Sequence, residues 1–280
     1  MSVLEALLLG VVQGLTEFLP ISSSGHLILV PWLQEYGFLQ ENPEFNKTFD
    51  VALHIGTLVA VLGYFRHDLL RIGHAFTHTI RKRAIGRGEE RIAWVIIVGT
   101  IPAVVIGGLG ADFVDESLGE PWMIALELIF FGLLLGWADR RPEDKDIDQV
   151  RLRYGLYIGL AQVLAFAPGA SRSGVTITMG RFLRLTRDTA ARISFLIGVP
   201  AIAGAGIVKG WETANDGLPD GVVVPMLVGM IAAGVSGYLA IAGLLSYVRS
   251  NSYDAFVIYR VVIGVGILIL IATGLRPATF

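Results

Sequence analysis

The sequence predicts an all-α polytopic membrane protein, with six transmembrane helices and two re-entrant helical hairpins arranged as an inverted-topology repeat. Three observations predict it. Of the 280 residues, 54% are hydrophobic and only 16% charged, against about 25% charged in a soluble domain. The mean hydropathy is +0.64. Apolar runs at 92–111, 122–138, 222–248 and 255–274 approach the roughly 20 residues that cross a bilayer. The two halves also resemble each other, each opening on an apolar segment broken by Pro and Ser. The expected organisation is one membrane domain, 1–280, with repeat 1 at about 1–140 and repeat 2 at about 151–280.

The first element is a helical run at 3–19, broken by Pro20 and three serines, then a short apolar piece at 25–33. That piece covers about 14 Å, too little to span the hydrocarbon core, so 1–33 reads as a hairpin that dips in and returns. A polar, acidic loop is expected at 34–48 and a span at 50–65, followed by a basic stretch from Arg66 to Arg91. The span at 92–111 leads to an acidic loop with Asp112, Asp115, Glu116 and Glu120, and 122–138 returns to basic residues from Arg140 to Arg153. The second hairpin, 154–184, precedes a span at 193–209, an acidic loop (Glu212, Asp216, Asp220), and the last two spans. Seventeen of the 22 Lys and Arg fall in one set of connections, which the positive-inside bias assigns to the cytoplasm, with both termini outside. The first hairpin then opens outward and the second inward.

The net charge of −2 says little about partners in such a chain, and no nucleic acid is expected. The absence of cysteine rules out disulfides and thiolate metal sites. No basic n-region or small-residue cleavage site precedes the first run, so no removable signal peptide is expected.

The repeat is legible in three pairs. GVVQGLTEFLPISSSG at 10–25 aligns with GLAQVLAFAPGASRSG at 159–174, with gaps near Glu17 and the serines; IVGTIPAVVIG at 97–107 aligns without gaps to LVGMIAAGVSG at 227–237; HIGTLVAV at 54–61 faintly matches LIGVPAIA at 196–203. An odd number of crossings per half inverts the second copy, and such folds place their site at the interface of the copies.

Two motifs carry the chemistry: QGLTEFLPISSSGH at 13–26 and PGASRSGVT at 168–176. Gln13 and Glu17 share a helix face, and a carboxylate at membrane depth is a functional-site hypothesis by default. Together they suit a hard cation that keeps its waters, although serine hydroxyls and backbone amides could equally satisfy Glu17. Ser22, Ser23 and Ser24 open a short helix whose unpaired N–H groups are ready for phosphate oxygens, and serine is also an ordinary N-cap. His26 can act as acid, base or nucleophile. In the second motif Arg172 offers bidentate contacts to phosphate, or a structural pair with Glu17. Gly169 and Gly174 allow close backbone approach, and Ser171, Ser173 and Thr176 add hydroxyls. Glu127 and Arg260, in matching spans, are expected to form a structural ion pair. His54 and Asp50 read as interfacial packing, and His67, His74 and His78 as a solvated face.

These two motifs resemble the signatures of the undecaprenyl-diphosphate phosphatase family linked to bacitracin resistance: Glu or Gln, three residues, Glu, a downstream histidine, and a PGxSRSxxT box. The resemblance covers essentially the whole chain. It implies removal of the terminal phosphate of undecaprenyl diphosphate, in the bacterial plasma membrane, with Glu17, His26, Ser171 and Arg172 as key residues and Ser23 as a proposed nucleophile. Magnesium is the implied cofactor, with calcium or manganese as alternatives, near Glu17 and more weakly Gln13, since Gln13 takes the amide option. The expected mechanism has Arg172 and the hairpin amides clamping the diphosphate while Ser23 or His26 attacks phosphorus at the outer face. The lipid tail would lie in an apolar groove between spans. Inverted repeats with broken helices are also transporter architecture, so movement of the lipid carrier across the membrane is the second reading.

Overall fold

A computed structural model describes residues 1–36, 39, 42–117, 119–216, 218 and 221–279, of which 43–44, 108–117, 209 and 212–216 are described as backbone only. The described residues form eleven α-helices. They are α1 (Val3–Phe18), α2 (Ser23–Gln34), α3 (Pro43–Tyr64), α4 (Arg66–Lys82), α5 (Glu89–Ser117), α6 (Pro121–Asp139), α7 (Leu152–Val163), α8 (Arg172–Phe182), α9 (Arg187–Asp216), α10 (Val223–Tyr247) and α11 (Asp254–Ala272). Among the described residues six helices are long and apolar enough to cross a membrane: Phe45–Tyr64, Glu89–Gly107, Pro121–Asp139, Arg187–Val208, Val223–Tyr247 and Asp254–Ala272. The chain is a multi-pass membrane protein with the six predicted spans. Of the five other helices, α1/α2 and α7/α8 form two helical hairpins, in which α2, α7 and α8 have only 12, 12 and 11 residues.

Local chemistry sets the ends. Ser2 caps α1 in a reciprocal capping box with Glu5, and the extended Leu19 before Pro20 stops it. Pro43 starts α3 at a position where its missing N–H costs nothing, so the expected polar loop at 34–48 ends earlier than predicted. Of that loop, residues 37, 38, 40 and 41 lie outside the described residues. So do Asp220 and the side chains of Asp112, Asp115, Glu116, Glu212 and Asp216 from the other two predicted acidic loops. The basic stretch after the first span is not a loop but α4: Leu69, Ile72, Phe76 and Thr79 recur at helical spacing and face α5, where Thr79 Oγ1 accepts from Trp94 Nε1 at 3.0 Å. His67, His74 and His78 are exposed on its outer side, as predicted, and His78 pairs with Glu90 at 2.8 Å.

Packing exchanges partners between the halves. The first limb of each hairpin lies on a span of the other half, α1 on α10 and α7 on α5. Glycine makes both approaches possible. A Cβ on Gly10 would stand 2.2 Å from the Gly229 carbonyl oxygen, and one on Gly159 would stand 2.3 Å from that of Gly99. At the basic end, fully buried Arg181 donates from Nε to Asp139 at 2.9 Å and from Nη2 to the Arg141 carbonyl at 2.7 Å. Asp139 also accepts from Arg187 and from the backbone N–H of Tyr253, so one carboxylate ties together α6, α8, α9 and the start of α11.

Candidate active site

Both hairpins break in the same way. Ser22 and Ser171 sit at φ of +76° and +73°, a region that non-glycine residues avoid, and each caps the following helix by accepting from the N–H three residues on, Gly25 and Gly174. Such backbone costs on the order of 1–3 kcal/mol per residue and persists only where its surroundings over-determine it. Here the two breaks hold each other. Ser22 Oγ donates to the Pro168 carbonyl, and Ser173 Oγ donates to the Leu19 carbonyl at 3.0 Å.

Arg260, fully buried, completes the lock. Its guanidinium donates to the carbonyls of Pro20 (3.1 Å), Ala170 (3.2 Å), Gly169 (2.7 Å) and Leu128 (3.1 Å). This corrects the expected ion pair with Glu127: its carboxylate instead accepts the Gly169 N–H at 2.7 Å. The breaks expose backbone oxygens with no helical partner, and a buried five-donor fork satisfies them better than a single carboxylate would satisfy it.

On the other side of the tips lies a cavity of about 310 Å³, walled by both breaks and by α3, α5, α7 and α9. Glu17 is buried at its edge. Glu17 Oε1 accepts from Arg172 Nη2 at 2.8 Å, and Oε2 accepts from Ser23 Oγ at 2.6 Å and Gln13 Nε2 at 3.1 Å. The pairing of Arg172 with Glu17 thus joins the two motifs across 155 residues. Arg172 Nη1 also donates to the Ser194 carbonyl at 3.3 Å, and only a glycine at 198 leaves room for it, since a Cβ there would meet Nη1 at 1.6 Å.

Of the predicted residues, Glu17, Ser22, Ser23, Ser24, Ser171 and Arg172 line this cavity. Gln13, Gly169, Ser173, Thr176 and His26 do not. Gln13 is fully buried behind Glu17 and orients it. Thr176 is spent on Ser194 Oγ (2.7 Å) and on the Arg172 carbonyl, holding α8 to α9. His26 donates from Nδ1 to the Ser22 carbonyl at 2.6 Å, and its Nε2 meets the Tyr259 hydroxyl at 2.8 Å, with the two rings stacked. Both nitrogens are therefore engaged in shaping the serine turn.

His54, which the sequence assigned to interfacial packing, lines the cavity with Nε2 at 3.5 Å from Glu17 Oε2 and Nδ1 donating to the Asp50 carbonyl. Asp50 lines the same wall. A charged residue and a histidine four apart at the start of an apolar run were the available signal. A larger cavity of about 700 Å³ opens among the basic connections. It holds none of the predicted site residues, and several of its charges pair with one another, as in Arg192 with Asp188 at 2.7 Å.

Known proteins resemble the chain over nearly its full length. It is 48% identical over 271 residues to a Geobacter sulfurreducens protein named undecaprenyl-diphosphatase, covering 96% of this chain and 98% of that one. Identity is 44% with a protein of the same name from Nocardioides, covering 98% of each chain. A third, from Thermomicrobium roseum, is 42% identical, covering 97% of this chain and 99% of that one. Residues 6–266 match the family described as bacitracin resistance protein BacA. On that match and those identities, the chain belongs to the bacitracin resistance protein BacA family.

Proposed function

We propose that this protein is a membrane phosphatase that hydrolyses undecaprenyl diphosphate to undecaprenyl phosphate and inorganic phosphate, recycling the lipid carrier for peptidoglycan synthesis and so conferring bacitracin resistance. The names of its relatives support the substrate. The observation that carries the chemistry is one chain of contacts, Ser23 Oγ–Glu17–Arg172, bridging the two hairpin breaks at the edge of a cavity. No observation favours the transporter reading.

Phosphoryl transfer asks for positioning and counter-charge. Arg172 uses two of its five N–H donors on Glu17 and Ser194, leaving three for phosphate oxygens. The first amides of α2 and α8 add further donors. Ser23 Oγ already donates its proton to Glu17, so the carboxylate acts as base while the oxygen attacks the terminal phosphorus. The bond to the bridging oxygen breaks, undecaprenyl phosphate leaves, and water then releases phosphate from Ser23. His26, with both ring nitrogens engaged, positions the turn. The apolar wall, which includes Val51, Phe166 and Ile202, suits the first prenyl units.

The residues fit magnesium in one way. Among the described residues no three His, Asp or Glu side chains are placed to hold one metal ion together, and Gln13 does not reach the cavity. Glu17 alone would hold the ion, the remaining ligands being phosphate oxygens and water, as is common for magnesium beside phosphates. Bound there, the ion would neutralise charge on the diphosphate.

The matched contacts Gly10–Gly229 and Gly159–Gly99 support two inverted repeats, about 1–140 and 151–280, with re-entrant hairpins at 1–33 and 154–184. Asp50 and Val51 on α3, and Ala205 and Gly206 on α9, line the cavity from the helix halves remote from the basic connections. With positive charge inside, this supports reaction at the outer face.

The test is phosphate release from undecaprenyl diphosphate in detergent. Purified protein is expected to release phosphate, to stop on EDTA treatment, and to recover with magnesium. Arg172→Ala and Glu17→Ala should each lose at least about 100-fold in kcat/KM, the scale of removing a key electrostatic group. Inactive, well-folded wild-type protein sinks the function, and near-normal activity in both variants sinks the site.

A further inference from the structure

The two hairpins carry equivalent glutamines whose fates differ. Gln13, three residues after Gly10, spends its amide N–H on Glu17, four residues on. Gln162, three residues after Gly159, has Phe166 at the position four residues on. It is 4% exposed, and neither its Oε1 nor its Nε2 has a hydrogen-bond partner among the described residues. A buried amide left without partners is unfavourable, and native proteins rarely keep one without a reason. Gln162 lines the same cavity as Glu17, Ser171 and Arg172.

We propose that Gln162 is a substrate-binding residue whose amide hydrogen-bonds the diphosphate of the bound lipid, an inference that rests on the phosphatase reading. The argument is one of complementarity. Glu17, Ser23 and Arg172 are already engaged with one another. A diphosphate offers only acceptor oxygens when fully ionised and an additional P–OH donor when it is not. A carboxamide serves either state, donating from Nε2 and accepting at Oε1. Being neutral, it adds direction without adding charge to a site where Arg172 already supplies it. Because Gln162 belongs to the second hairpin with Arg172, and the attacking Ser23 to the first, its contacts persist from ground state to transition state. Such uniform binding shows in KM and not in kcat.

The experiment compares wild type with Gln162→Leu and, should that fail to fold, Gln162→Met. Three quantities are read: thermal midpoint in detergent, kcat and KM for undecaprenyl diphosphate, and the inhibition constant of inorganic pyrophosphate. The expected result is an unchanged or raised midpoint, because an unpartnered amide is replaced by an apolar side chain of similar size. KM should rise about 10- to 100-fold, the scale of one lost hydrogen bond to a charged group, with kcat within about threefold. Pyrophosphate inhibition should weaken by the same factor as KM. A lowered midpoint with unchanged KM assigns Gln162 to packing and overturns the proposal. A KM rise with undiminished pyrophosphate inhibition places the contact on the lipid tail and overturns it too. If wild type releases no phosphate the enzymatic reading fails instead, and pyrophosphate binding by wild type and variant still decides the role of Gln162.

Discussion

Ser23 and His26 stand three residues apart in the sequence, and from the sequence either could attack phosphorus. Geometry separates them. Ser23 lines the cavity and donates a hydrogen bond to Glu17, whereas His26 is turned behind the serine turn onto the Ser22 carbonyl and Tyr259. Ser23→Ala is therefore expected to lose on the order of 10⁴-fold or more in kcat, the scale of deleting a nucleophile. Rapid quench with terminally labelled substrate should leave acid-stable phosphate on Ser23. Label on His26, acid-labile and retained in Ser23→Ala, would reverse the assignment. The polar members of this site were legible because their types are expensive in an apolar segment, which singles out Glu17 and Arg172 without any structure. His54 and Gln162 were not, since a histidine near a span end and a glutamine inside a hairpin limb each have a bland explanation. Which one applies depends on a neighbour from another helix. The ion pair of Glu127 with Arg260 failed for a related reason: charge complementarity is visible in a sequence, but carbonyls freed by a helix break are not.

At the scale of elements, the site is a consequence of how two broken hairpins are held tip to tip. Three structural facts converge there: both breaks use a left-handed serine, each donates a hydroxyl to the other's backbone, and one arginine from α11 serves both. Arg260 has no place on the cavity wall, so its effect on catalysis must pass through the hairpins. Arg260→Ala strips donors from several buried carbonyls at once and should destabilise by at least about 3 kcal/mol. Arg260→Lys keeps the charge but cannot span carbonyls from Pro20 to Gly169, so it should recover part of the stability while leaving kcat depressed. Thermal unfolding in detergent and steady-state kinetics on the same preparations separate the two effects. Full activity in Arg260→Lys would show that charge alone suffices and that the fork geometry is irrelevant. The breaks themselves were legible from Pro and Ser in apolar runs. Helix α4 was not, because seven basic residues between Arg66 and Arg91 mask the periodic Leu69, Ile72, Phe76 and Thr79 that dock it on α5.

At the scale of the whole molecule, the two halves carry unequal duties. The first contributes Glu17 and Ser23, the second Arg172, and each hairpin leans on a span of the other half, so neither half could assemble the site alone. The same exchange ties the orientation of the molecule to its chemistry. If the halves are inverted and basic connections lie inside, the cavity faces outward. The chain has no cysteine, so single reporters have no background. Leu275→Cys, on a residue 70% exposed beyond the last span, and Arg83→Cys, exposed after α4, should leave the fold intact. In intact spheroplasts a membrane-impermeant maleimide is expected to label the cysteine at 275 and to spare the one at 83, while permeabilisation exposes both. The opposite pattern would put the cavity on the cytoplasmic side and refute the outward reaction. Labelling of both in intact spheroplasts would mean a mixed orientation, counter to the strong charge asymmetry, and would refute a single outward-facing site.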